Sequence, residues 1–122
     1  MHQTCLPINT ISKERKIDPF SLQPLSLNFW RTNQYIHNGP AMYFVIDSME
    51  SSKIILYIGE TNSANKRWKG EHDCKNYLMN YKEALANNKL SSLQDIRFFL
   101  DVPKEVKLRR KLEQQLIYLW LP

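Results

Sequence analysis

Two short β-prone runs, Ala-Met-Tyr-Phe-Val-Ile-Asp over residues 41–47 and Lys-Ile-Ile-Leu-Tyr-Ile over 53–58, lie either side of the connector Ser-Met-Glu-Ser-Ser. Runs of this length and character joined by a short polar turn read as a β-hairpin. A lone hairpin is only marginally stable in water, so further elements must cover it. Residues 95–102, with Ile96, Phe98, Phe99 and Leu100, are read as a third strand completing a small sheet.

The stretches between and after the strands carry helical signals. Asn62 or Ser63 is placed to cap a first helix that stops near Gly70. A second helix starts at Asp73 and sets Tyr77, Leu78, Tyr81 and Leu85 on one face. A last helix is expected from Pro103 to about Trp120, with Leu108, Leu112, Leu116 and Leu119 as its buried stripe and Glu113 at the stripe's edge. Ahead of all this, four of the six prolines (Pro7, Pro19, Pro24, Pro40) fall in residues 1–40 and break any long helix or central strand there. Residues 1–40 are therefore read as an irregular arm and 41–122 as the domain. Phe20, Leu22, Leu25, Leu27, Phe29 and Trp30 make the later half of the arm too apolar for a disordered tail, and it is expected to pack on the domain. The predicted class is α+β: a small three-stranded antiparallel sheet, hairpin plus one later strand, flanked by helices.

A chain of 122 residues has room for one such core. Cys5 and Cys74 show no CxxC spacing, which excludes a cysteine-rich zinc module or disulfide framework and points to a reducing, cytoplasmic setting. His72 and Cys74 flank Asp73, but two such groups without further spaced ligands do not make a zinc site. No apolar run approaches the roughly 20 residues that span a bilayer, and no export leader is visible. Seventeen Lys and Arg against twelve Asp and Glu give a net charge of +5, a balance suited to an anionic partner, of which nucleic acid is the commonest.

One constellation is more specific. Tyr43 lies in the first strand, Tyr57-Ile58-Gly59 closes the second, Arg67 follows eight residues after that glycine, and Glu113 stands on the last helix. This resembles the GIY-YIG nuclease family. Ala41-Met42-Tyr43 stands at the first triplet, keeping its tyrosine but with Ala41 for glycine, and Tyr57-Ile58-Gly59 matches the second triplet letter for letter. The segment from Tyr57 through Lys66-Arg67-Trp68-Lys69 is similar to the family's strand, loop and arginine helix, and Lys111-Leu112-Glu113-Gln114-Gln115 to the helix bearing its metal-binding glutamate. The family's histidine one turn after the arginine has its nearest counterpart in His72, one position further on. The terminal asparagine has no counterpart, and residues 1–40 lie outside the resemblance.

The resemblance implies a DNA endonuclease dependent on one Mg²⁺ or Mn²⁺ ion. Tyr43 would be the general base, Tyr57 would orient water or share in proton handling, Arg67 would bind the scissile phosphate and Glu113 would hold the ion, with His72 as a further catalytic candidate. In-line hydrolysis of a phosphodiester needs these posts filled: an activated water, a cation on the phosphorane and a Lewis acid for the leaving oxygen. A phenol is a weak base near neutral pH, its ordinary pKa being about 10, so cations such as Lys66, Arg67 and the metal would have to favour the phenolate. Two basic clusters, one of Lys66, Arg67, Lys69 and Lys75 and the other of Lys104, Lys107, Arg109, Arg110 and Lys111, are either ordinary solvated faces or, if they flank the same cleft as Glu113, follow the phosphates of a DNA duplex. Taken singly, each residue has a plainer explanation: strand tyrosines are usually packing residues, Arg67 a solvated helix charge, and Glu113 a partner for Arg109 four residues earlier. A module that has lost catalysis and only binds DNA or RNA is the alternative, and a protein-interaction module whose apolar arm binds a partner or a second copy is a third reading. The small surface of a 122-residue catalytic domain leaves sequence specificity to a homodimer or an added partner.

Overall fold

The computed structural model describes residues 17–27, 39–63, 73–87 and 92–121. After a single 3-10 turn at Pro19–Ser21 come β1 (Ala41–Met49), β2 (Ser52–Thr61), α1 (Asp73–Asn87), β3 (Leu93–Phe99) and α2 (Val106–Trp120). The strands form one antiparallel sheet in the order β2-β1-β3. The class is therefore α+β, as the residue pattern predicts. Beyond Ser63, the helix expected to end at Gly70 lies outside the described residues.

β1 is the central strand, and Ala41 to Ile46 are buried without interruption. A strand covered on both faces has no need of polar alternation, which explains the unbroken apolar run in its sequence. On one face Tyr43, Val45, Ile96 and Phe98 pack with Leu78 of α1 and Leu25 of the arm. On the other, Met42, Phe44 and Ile58 pack with Leu112 and Leu116 of α2 and with Ile17 of the arm. Among the described residues each face thus carries one helix, and the arm contributes to both.

Several boundaries differ from the sequence reading. β1 and β2 continue pairing through Ser48↔Lys53 and Met49↔Ser52, leaving only Glu50 and Ser51 in the loop. Ladder bonds are made by the backbone, so the polar connector joins the strands, and Lys53 Nζ donates to Ser48 Oγ across them at 3.0 Å. Glu50 adopts φ 52°, the left-handed backbone that two-residue hairpin loops demand. β3 is displaced toward the N-terminus, starting at Leu93 and ending at Phe99 instead of spanning 95–102.

α2 begins at Val106, three residues after Pro103. Its buried stripe is Arg109, Leu112 and Leu116, while Leu108 and Leu119, both expected inside, are about half exposed. The helix is rotated because Arg109 takes an inward position that only a guanidinium with all its bonds met can hold. The carbonyls of Pro103 and Lys104, which would otherwise have opened the helix, accept from Arg109 Nη1 at 3.2 and 2.9 Å.

The arm closes the outer edge of β3. Leu25 exchanges two backbone hydrogen bonds with Ile96, at 2.9 and 3.0 Å. Arg97, itself buried, holds Asp95 through Nε at 2.8 Å and donates through Nη1 to the carbonyls of Phe20 at 2.9 Å and Leu22 at 3.3 Å. At the hairpin end of the sheet the buried Asp47 accepts from Tyr81 Oη at 2.6 Å and Gln94 Nε2 at 2.8 Å, so its charge is hydrogen-bonded rather than stranded.

Candidate functional site

The tyrosines share a face because of one irregularity. Counting back from the Glu50-Ser51 loop, a regular hairpin would oppose Tyr43 to Ile58 and turn Tyr57 to the other side of the sheet. Instead the pairing passes from Ile46↔Ile55 to Val45↔Tyr57, with Leu56 as the extra residue of a β-bulge. Beyond the bulge Tyr43 opposes Gly59 and Tyr57 opposes Val45, so both phenols lie on the α1 face. The bulge also leaves Leu56 packed against the same cluster as Tyr57.

Gly59 then decides how close the rings come. A Cβ at that position would lie 2.3 Å from Tyr43 Cζ and 2.4 Å from Tyr43 Oη, well inside contact distance. The phenol end of Tyr43 therefore rests on the bare Cα of its cross-strand partner. Tyr43 stacks on Tyr57 with ring centroids 6.1 Å apart and planes at 7°, and Phe98 closes the other side at 6.4 Å. Tyr43 is 1% exposed and Tyr57 only partly buried.

Glu113 reaches the adjacent residue. Its Oε2 accepts the backbone N–H of Glu60 at 3.0 Å. α2 packs on the face opposite the tyrosines, but a strand N–H lies in the plane of the sheet and β2 is an edge strand, so the carboxylate arrives at the edge. Tyr43 and Glu113 thus converge on the two ends of the Gly59-Glu60 step from different directions. The turn leaving β2 is braced by Thr61, whose hydroxyl accepts from Ser63 N at 3.1 Å.

A polar knot fixes this arrangement. Arg109, 0% exposed, donates through Nε to Glu60 Oε1 at 2.7 Å, through Nη2 to Asn62 Oδ1, and through Nη1 to the two carbonyls ahead of α2. One guanidinium ties the end of β2 to the start of α2, one helical turn before Glu113. Arg110 approaches the other oxygen of Glu60, Nε to Oε2 3.6 Å, from an exposed position.

This geometry corrects two expectations. Arg109 is not a phosphate contact, because it is enclosed and its donors are consumed inside the protein. Nor is its ion pair made with Glu113 within the helix; it is made with Glu60 across to the sheet. Arg110, Lys104, Lys107 and Lys111 remain on the surface. Lys66, Arg67, Lys69 and His72 lie outside the described residues, as does the side chain of Lys75 in α1. Glu60, to which the sequence reading gave no role, and Asn62, which it read as a helix cap, are part of the site's frame. The signal for them was a glutamate directly after the Tyr-Ile-Gly triplet and an asparagine two residues beyond that glutamate.

Among the described residues no group of three or more metal-ligating side chains converges. Glu60 is paired with arginine, and among the described residues at this edge of the sheet Glu113 is the other carboxylate, holding the Glu60 amide. A carboxylate of this kind would suit Mg²⁺ or Mn²⁺ bound mainly by water and substrate phosphate. Compared with models of known protein families, with characterised proteins and with solved structures, the chain matches none.

Proposed function

We propose that this chain is a GIY-YIG-type endonuclease that hydrolyses DNA phosphodiester bonds with one divalent ion. The observation that carries the reading is the bulge-set register, which stacks Tyr43 on Tyr57 across Gly59 one residue from the amide that Glu113 grips. In this reading Tyr43 takes the proton of the attacking water and Tyr57 holds that water in line. Arg67 binds the scissile phosphate and offsets the charge that grows on its oxygens. Glu113 holds Mg²⁺ or Mn²⁺, which when bound supplies Lewis-acid stabilisation of the leaving oxygen. His72 stands as a further catalytic candidate.

Plasmid nicking in Mg²⁺ or Mn²⁺ tests the proposal. Glu113→Gln and Arg67→Ala are each expected to lower the rate by about 100-fold or more, in keeping with the loss of one charged catalytic group, with far-ultraviolet circular dichroism unchanged. Cleavage at the wild-type rate by both variants would discredit it. The burial of Tyr43 favours a second reading, a descendant without catalysis that binds DNA or RNA. Salt-sensitive binding with no turnover in any divalent metal selects that reading instead.

A further inference from the structure

We propose that the outward ridge of α2 binds single-stranded nucleic acid, with Lys107 and Lys111 on backbone phosphates and Tyr118 stacked on an unpaired base. At about 100° per residue, positions 107, 111, 114 and 118 fall on one line along the helix, diametrically opposite the buried Leu112 and Leu116. All four residues of that line, Lys107, Lys111, Gln114 and Tyr118, are exposed.

Tyr118 is 90% exposed, the most open of the large hydrophobic side chains among the described residues. Both faces of its ring are open to a flat, apolar partner. The charge along the ridge has one sign: Lys107 and Lys111 lie on it, while the single acid of α2, Glu113, is turned to the Glu60 amide at the sheet edge. With Arg109 enclosed, the outward cations are Lys107, Lys111 and Arg110, the last with a side chain 69% exposed. From Lys107 to Tyr118 the ridge runs about 16 Å, at roughly 1.5 Å per residue, room for a few nucleotides.

Cations followed by an open aromatic ring are the recognition chemistry of a single strand: the cations track phosphates and the ring accepts any base face. A duplex keeps its base faces stacked inside and offers Tyr118 nothing except at an end. An acidic polypeptide would satisfy the lysines but leave the ring without a flat partner. On the helical wheel Arg110 lies between this ridge and Glu113, so a strand on the ridge leads past Arg110 to the proposed cleavage site. The inference rests on the nuclease reading for that destination and names its substrate class, DNA with an unpaired segment such as a flap or fork. Binding along the ridge does not need turnover.

Fluorescence anisotropy with the full chain in EDTA, using labelled oligothymidylate and a blunt duplex, separates the two claims. Tyr118→Ala is expected to weaken oligothymidylate binding about tenfold, the scale of one lost base stack, and Tyr118→Phe to restore it. Changing Lys107 and Lys111 together to Ala is expected to flatten the slope of log affinity against log salt by about 1.4, at roughly 0.7 per lost phosphate contact. Thermal melts of these surface variants should match wild type. The inference is overturned if Tyr118→Ala binds like wild type, if the duplex binds as tightly and with the same sensitivity, or if polyglutamate displaces the strand equally well. Cleavage that persists while the ridge variants bind normally removes the ridge and leaves the nuclease. Ridge-dependent binding without cleavage in Mg²⁺ or Mn²⁺ does the reverse.

Discussion

At the scale of single residues, Gly59 is where conformation and proximity meet. Its φ is ordinary for a strand, so its value lies in the missing Cβ rather than in backbone freedom. Gly59→Ala would drive a methyl into Tyr43 at 2.3 Å, and Tyr43 cannot swing aside because Tyr57 and Phe98 flank it. We expect a loss of about 1–3 kcal/mol in urea unfolding, the scale of an overpacked core. In a Tyr43→Leu background the same change should cost clearly less, since the colliding ring is gone. Additive losses would mean that the contact does not govern this position. The Tyr-Ile-Gly triplet was legible because its letters are distinctive. What the glycine accommodates was not, since that depends on which residue stands opposite, and the bulge at Leu56 sets this without any glycine or proline to announce it.

Among the elements, α2 carries most of the difference between pattern and structure. Leucines at 108, 112, 116 and 119 make a credible apolar stripe, and an adjacent pair of arginines reads as solvated, yet Arg109 is inside and Leu108 is not. Periodicity located the end of the helix at Trp120 but not its first turn, and set its rotation only to within a fraction of a turn. The deciding partners, Glu60, Asn62 and the carbonyls before the helix, come from other parts of the chain. Arg109→Met would leave a largely buried glutamate and two carbonyls without their donor, at a cost of about 3–5 kcal/mol, the range for breaking a buried ion pair from one side. Arg110→Met, which removes only an exposed cation 3.6 Å from Glu60, should cost less than about 1 kcal/mol. Chemical denaturation of the two variants side by side measures this difference, and equal losses would show that the buried knot adds nothing to the stability of the join between β2 and α2.

For the whole molecule, the arm decides whether residues 41–122 stand alone. Residues 17–27 hold one 3-10 turn and a single bridge from Leu25 to Ile96, and Leu22 and Leu25 pack against the two core clusters. The mode of attachment was hidden, because it runs through Arg97, a strand residue whose guanidinium reaches back more than seventy positions to the carbonyls of Phe20 and Leu22. Ile17 fills the α2 face, Leu25 fills the α1 face, and the Leu25 backbone covers the open edge of β3 at Ile96. Two buried aliphatic side chains are worth about 1.5–3 kcal/mol each, and the two backbone bonds about 1 kcal/mol each. A chain beginning at Gly39 should therefore lose about 5 kcal/mol or more, comparable with the whole stability of many domains of this size. It would also expose the β3 edge to pairing with other copies. Thermal unfolding and light scattering of the shortened chain should show a sharply lower midpoint and growth of assemblies. A shortened chain that melts like the full one as a monomer would make the arm an appendage, and the domain would then begin where the hairpin does.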